Sequence, residues 1–195
     1  MQTFILASQS PRRKTLLEWA ELPFEVIVSA SDENYPDDLP IEQVPEYIAK
    51  NKAIAVQNKI SQAGVLKAQQ CIIAADTIVV LENKILGKPI SREDAIQTLQ
   101  SLSGKSHKVI TGVSLLNNGA QHSFSETTEV VFHTLSQEQI EFYVDKYKPF
   151  DKAGAYGIQE WIGVVGIKSI IGDFYNVMGL PVSKLLQTIK QLGIA

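Results

Sequence analysis

The chain has 195 residues, 45% of them hydrophobic and 20% charged, an ordinary globular balance that supports a core without metal or disulfide staples. Lys and Arg total 18 against 21 Asp and Glu, a net charge of −3, so no general field attracts nucleic acid and an anionic ligand needs a local cluster. The lone Cys71 excludes an intramolecular disulfide and a thiolate metal cluster, while the short run Phe4 to Ala7 and the absence of any ~18-residue apolar stretch predict no targeting segment, no membrane span and a cytoplasmic location.

The elements alternate between strand and helix. Thr3 to Ala7 reads as a strand, followed by a helix to Trp19 with Ser10 as N-cap and Pro11 at its first position. Phe24 to Val28 reads as a second strand, and the Pro-rich acidic stretch from Ser29 to Pro45 as a loop. A helix is expected from about Glu46 to Lys59, with Tyr47, Ile48, Ile54 and Ala55 facing inward. Cys71 to Leu81 is a strong strand that turns at Glu82-Asn83 into Lys84 to Leu86. Ser91 caps the next helix with Asp94 in a capping-box position, and Gly104 stops it. Lys108 to Leu116 and Gln121 to Phe132 are joined by Asn117-Asn118-Gly119, a hairpin signal. Ser136 with Gln139 opens a helix to Tyr147. Val164 to Ile171 reads as a late strand, Gly172 to Leu180 as a loop, and Pro181 to Leu192 as a closing helix. The fold class is mixed α/β, with an antiparallel hairpin inside it. No linker or repeat divides the chain, so 1–195 is read as a single domain.

Some segments carry more polar chemistry than their setting requires. In Ser8-Gln9-Ser10-Pro11-Arg12-Arg13 a helix N-terminus, with its unpaired N–H groups, is joined by hydroxyls and guanidiniums. Phosphate is the anion that suits such a set, because arginine offers a planar fork to its oxygens. A solvated helix start is the plainer alternative. In Ala74-Ala75-Asp76-Thr77 an acid stands inside a buried strand, where it must meet a cation, a metal or several donors. Gly87-Lys88-Pro89 holds a lysine at a turn, and Asp151-Lys152-Ala153-Gly154-Ala155-Tyr156-Gly157-Ile158-Gln159 allows close backbone approach to a ligand. Locally, Glu33 and Lys52 read as solvated surface charges. No Walker loop or dinucleotide fingerprint is present, and the three histidines lack zinc-ligand spacing.

Taken in order, together with Gly179-Leu180-Pro181, these segments resemble the Maf family of nucleoside triphosphate pyrophosphatases over nearly the whole chain. The resemblance implies an elongated α/β fold like that of inosine triphosphate pyrophosphatase, with a mixed sheet, flanking helices and a cleft between two lobes. It implies metal-dependent hydrolysis of a nucleoside triphosphate to the monophosphate and pyrophosphate, and a homodimer. Asp76 matches the family's catalytic acid. Ser8, Arg13, Glu33, Lys52 and Lys88 match its polar active-site positions, while Arg12, Thr77 and Gln159 match those that distinguish the dTTP/UTP branch. The branch acting on methylated GTP typically has Trp in place of Arg12.

The residues so marked suggest a mechanism. Arg13, Lys52 and Lys88 neutralise the triphosphate, and Glu33 with Asp76 surrounds a divalent cation, Mg²⁺ or Mn²⁺. Asp76 activates the water. The alternatives are a pyrophosphatase for another modified nucleotide, and a nucleotide-binding regulator of cell division without turnover. Neither nucleic acid nor membrane is an expected partner.

Overall fold

The computed structural model describes residues 3–64 and 70–194. Its strands are β1 (Phe4–Leu6), β2 (Phe24–Val26), β3 (Cys71–Leu81), β4 (Lys84–Leu86), β5 (Ser106–Asn117), β6 (Ala120–Phe132) and β7 (Ile167–Ile171). The helices are α1 (Pro11–Trp19), α2 (Val44–Gln62), α3 (Arg92–Leu102), α4 (Gln137–Tyr147), α5 (Trp161–Gly166), α6 (Phe174–Met178) and α7 (Val182–Gln191). Among the described residues the strands form one seven-stranded sheet in the order β2-β1-β3-β5-β6-β7, with β4 also paired to β3. β1 runs parallel to β2 and β3, pairing Ile5 with Glu25 and Ile72, whereas β4 and β7 join antiparallel. The expected mixed α/β class is what is found. β1 and most of β3 are buried at consecutive positions rather than alternate ones, as happens when both faces of a sheet are covered.

Two compact units share these strands. The first contains the described residues up to Asp76, Thr111–Glu126 and the described residues from Gly179 onward. Its core joins Ile5, Ala53, Val56, Ile60, Ile72, Ala74 and Leu116. The buried stripe of α2 is Val44, Pro45, Ile48, Ala49, Ala53, Val56 and Ile60. Of the expected inward residues only Ile48 is buried, and Ile54 is exposed. Hydrophobicity alone favours Tyr47 and Ile54, but the alanines 49 and 53 allow the helix to lie close to the sheet. Gly112 of β5 has the same role at the start of α2: a Cβ there would stand 2.2 Å from the Glu46 amide nitrogen. Only glycine fits.

The second unit comprises Thr77–Ile110 and Thr127–Met178. Arg92 of α3 makes a bidentate pair with Asp145 of α4 at 2.6 and 2.9 Å. Ser91 and Ser136 cap these helices as expected, the latter in a complete capping box. Asp94 accepts instead from the Ile90 amide at 2.9 Å. The Asn118-Gly119 turn has φ of 49° and 81°, as a two-residue hairpin requires. The expected strand from Val164 is shorter than its composition suggests, because Trp161–Gly166 is helical before β7 begins. Gly163 allows this turn, since a Cβ there would lie 1.7 Å from the Ile158 carbonyl oxygen. The stretch expected to be a loop after Gly172 contains α6, which is anchored by buried Asn176 donating to the Val109 carbonyl at 3.1 Å and to Thr128 Oγ1 at 3.0 Å.

His107 is buried between Phe132, on which it stacks, and Tyr156, whose hydroxyl lies 2.8 Å from its Nε2. Burial pushes its pKa down to about 4, whereas an unfolded histidine titrates near 6.5. Between these values the unfolded chain binds a proton that the folded chain does not, so stability falls as pH is lowered through this window. By pH 4 the loss from this residue approaches ~2–3 kcal/mol. The thermal midpoint of His107→Phe should therefore decline less between pH 6.5 and 4 than that of the parent. Equal slopes in the two titrations would mean that His107 is protonated in the fold.

Candidate active site

The candidate site is built on the first unit, at the ends of β1 and α1. Ser10 caps α1 by accepting from the Arg13 amide, and Pro11 opens the helix. Ser8 Oγ accepts from the Ser10 amide at 3.2 Å and from a guanidinium nitrogen of Arg13 at 3.2 Å. Arg13 Nε donates to the Gly179 carbonyl at 2.8 Å. Gly179 has φ of 118°, a backbone conformation that suits glycine and directs this carbonyl. The Arg13 fork is thus held on two sides. Burial lowers its pKa, Asp76 opposes that shift, Arg12 reinforces it, and Glu33 opposes it to a smaller extent. These four charges therefore act within one electrostatic neighbourhood.

β3 delivers the acid. Asp76 and Thr77 are half-buried in a strand that is otherwise buried along its eleven residues. The cation that Asp76 needs comes from α2: Lys52 Nζ lies 2.7 Å from Asp76 Oδ1 and 2.8 Å from Glu33 Oε1. The Lys52 and Asp76 side chains are 18% and 16% exposed, that of Glu33 58%. Glu33 projects from the loop between β2 and α2, where the Asn34 amide donates to Asp32 Oδ1 at 2.9 Å. Lys59 Nζ fastens the start of that loop through the Val28 carbonyl at 2.7 Å.

The structure brings Ser8, Arg13, Glu33, Lys52 and Asp76 together, with Arg12 on the same turn of α1. Local sequence missed Glu33 and Lys52. For Lys52 a signal exists: it follows Ile48 and precedes Val56 by four residues each, on the buried stripe of α2. A lysine there must find a buried partner. Glu33 has no such signal. The second unit carries Lys88, exposed after β4, and Gln159, exposed in the turn before α5.

Among the described residues no group of three or more His, Cys, Asp and Glu side chains is placed to hold a metal ion. The donor set is instead the two carboxylates that converge on Lys52. Mg²⁺ commonly takes one or two carboxylates and completes its shell with phosphate oxygens and water, so the residues fit a cation that arrives with a polyphosphate.

Residues 3–192 match the family model described as Maf-like protein. The chain belongs to the Maf-like family. Among its Maf-like relatives, a dTTP/UTP pyrophosphatase of Bacteroides thetaiotaomicron is 52% identical over 189 residues, covering 96% of this chain and 95% of the relative. The dTTP/UTP pyrophosphatase of Cytophaga hutchinsonii is 50% identical, covering 96% and 83%. That of Porphyromonas gingivalis W83 is 45% identical, covering 97% and 94%. The Maf-like fold is also that of the Staphylococcus aureus Ham1 protein, with a TM-score of 0.51 at 15% identity, covering 97% of this chain and 98% of that one.

Lys52→Met leaves two carboxylates without their shared cation. It should lower stability by about 1–3 kcal/mol, below the range for a fully buried pair because Glu33 faces solvent. Adding Asp76→Asn should restore part of the loss, because the uncompensated charge is removed. Denaturant titrations of both single variants and the double variant read the coupling, and strictly additive losses would deny it.

Proposed function

We propose that this Maf-like chain, with 1–195 working as one domain, hydrolyses dTTP and UTP to the nucleoside monophosphate and pyrophosphate. The observation that carries the reading is the placing of Asp76 and Glu33 around Lys52, beside an arginine fork at a helix N-terminus. The cationic half suits the phosphates of a nucleotide, and the carboxylate half suits a base and a cation. A protein that only held a polyanion would be weakened by two acids beside it. The names of the relatives support the same substrates, and their cytoplasmic pools suit an enzyme of that compartment. No helix among the described residues is long and apolar enough to cross a membrane.

Ser8 and Arg13 bind phosphate oxygens at the start of α1, where the helix dipole adds to the attraction. Lys88 contributes a further charge. Asp76 orients the attacking water and accepts its proton as the water oxygen bonds to the α-phosphorus and the bridging bond to pyrophosphate breaks. Lys52 holds Asp76 and Glu33 in register and offsets their charge. Glu33 and Asp76 would hold a divalent cation, which when bound lowers the pKa of water and offsets phosphate charge. Arg12, Thr77 and Gln159 read the base. Their donors suit the carbonyl oxygens of thymine and uracil, and the Gln159 amide oxygen can also accept from the ring N–H. Cytosine has an amino group where the others have a carbonyl, which leaves a donor unpaired at about 1–3 kcal/mol. A methyl group is worth a similar or smaller amount.

A panel of nucleoside triphosphates with Mg²⁺ and with Mn²⁺ tests this reading. Pyrophosphate should appear from dTTP and UTP, and markedly less from CTP. Orthophosphate as the direct product, or equal rates on CTP, would overturn it. Asp76→Asn should reduce turnover by about 10²–10⁴, the usual range for a general base, with the fold retained. Activity near that of the parent would assign water activation to another group.

A further inference from the structure

The second unit buries a lysine that the proposed reaction does not use. Lys152 is 7% exposed, and its ammonium lies 2.7 Å from Asp151 Oδ1 and 3.2 Å from Glu160 Oε1. The other oxygen of Glu160 accepts from the Tyr143 hydroxyl of α4. The Tyr143 oxygen in turn accepts from the Gly157 amide at 3.0 Å. One chain of hydrogen bonds therefore runs from the Gly157 N–H through Tyr143 and Glu160 to Lys152. Its two attachment points on the loop, Gly157 and Glu160, bracket Gln159.

The turn is closed within itself as well. The Glu160 amide donates to the Gly157 carbonyl at 3.0 Å. Gly157 has no room for a side chain, since a Cβ there would lie 2.8 Å from Glu160 Cδ and 3.0 Å from Gln159 Nε2. Both side chains fold over the bare α-carbon. Gln159 itself is exposed, yet Gly157 is tied to the Tyr143 hydroxyl and Glu160 to buried Lys152. A loop that orders only on binding a ligand loses backbone freedom, and fixing the backbone of Gln159 beforehand removes that cost. A carboxylate bound by a buried lysine and a tyrosine is a firm anchor, because charge-assisted hydrogen bonds are the strong ones.

We propose that Lys152, Glu160 and Tyr143 are positioning residues for Gln159 and hence set base selection. This rests on the reading of Gln159 as a residue that contacts the base. Tyr143 is the sharpest probe, because Tyr143→Phe removes one hydroxyl and keeps the ring in the core.

The experiment measures kcat/KM for UTP and CTP in the parent, Tyr143→Phe, Gln159→Leu and the double variant, each with its thermal midpoint. Tyr143→Phe should lower the UTP-to-CTP ratio about tenfold, mostly through the KM for UTP. In the Gln159→Leu background the same change should have no further effect on the ratio. An unchanged ratio in Tyr143→Phe, with an eroded one in Gln159→Leu, would overturn the positioning role and leave the base reading intact. An equal fall in both backgrounds would overturn it too, since the hydroxyl would then act by another route. An unchanged ratio in Gln159→Leu would remove the base reading and this inference with it. If Tyr143→Phe does not fold, Glu160→Gln takes its place, with the same outcomes deciding.

Discussion

A carboxylate in the middle of an apolar strand is the constraint on which the first unit depends. Asp76 follows Ile72, Ile73, Ala74 and Ala75, all buried, and precedes Ile78 and Val79, also buried. Leaving that half-buried acid without a partner would cost about 1–3 kcal/mol, so a cation is brought to it. Lys52 is that cation, and most of the surrounding architecture can be understood as the means of delivering it. The lysine must sit on the inward face of α2, so α2 must approach the sheet closely. Alanines on the stripe and the bare α-carbon of Gly112 allow the approach. Glu33 then joins the same ammonium from the loop side.

The result is a candidate site whose charges are held in place by one another and by the backbone. Arg13 is gripped by Ser8 and the Gly179 carbonyl, so its fork is ordered by the protein itself. Asp76 and Glu33 are held near one another by a shared countercharge, although two acids in contact would otherwise repel. Such pre-organisation is what phosphoryl chemistry requires, because the protein supplies mainly position and electrostatic stabilisation there. In the second unit the same device recurs with different residues. Lys152 anchors Glu160, Tyr143 links it to Gly157, and an exposed glutamine is carried between two fixed points. In both units a lysine organises acids, and a glycine without space for a Cβ lets the surrounding groups close in.

Much of this was legible in the sequence, and the order of legibility follows the range of the interaction. Short-range signals held: Ser10 with Pro11, Ser136 with Gln139 and the Asn118-Gly119 turn depend on groups within a few residues. β3 matched its expected span, Cys71–Leu81, because its Ile and Val residues suit a strand covered on both faces. Where the expectation differed, packing was the cause. Val164 and Val165 resemble strand residues by composition, but Gly163 against the Ile158 carbonyl permits a helical turn there. On α2 hydrophobicity points to Tyr47 and Ile54, whereas close packing against the sheet places Ala49 and Ala53 on the buried stripe.

By itself, the sequence determined the α/β class, the caps and turns, the presence of an acid within a buried strand at Asp76, and a cationic helix start at Ser8 to Arg13. Through its ordered motifs it also carried the family resemblance. Only the tertiary structure decided which cation meets Asp76. Lys52 is 24 residues away, and the pairing exists because β3 lies within reach of the inward face of α2. It likewise decided that Arg13 ends on a carbonyl 166 residues further along the chain, and that Lys152 organises the turn around Gln159. A charged side chain looks the same in sequence whether it faces water or an acid, and its partner is chosen by the fold that buries it.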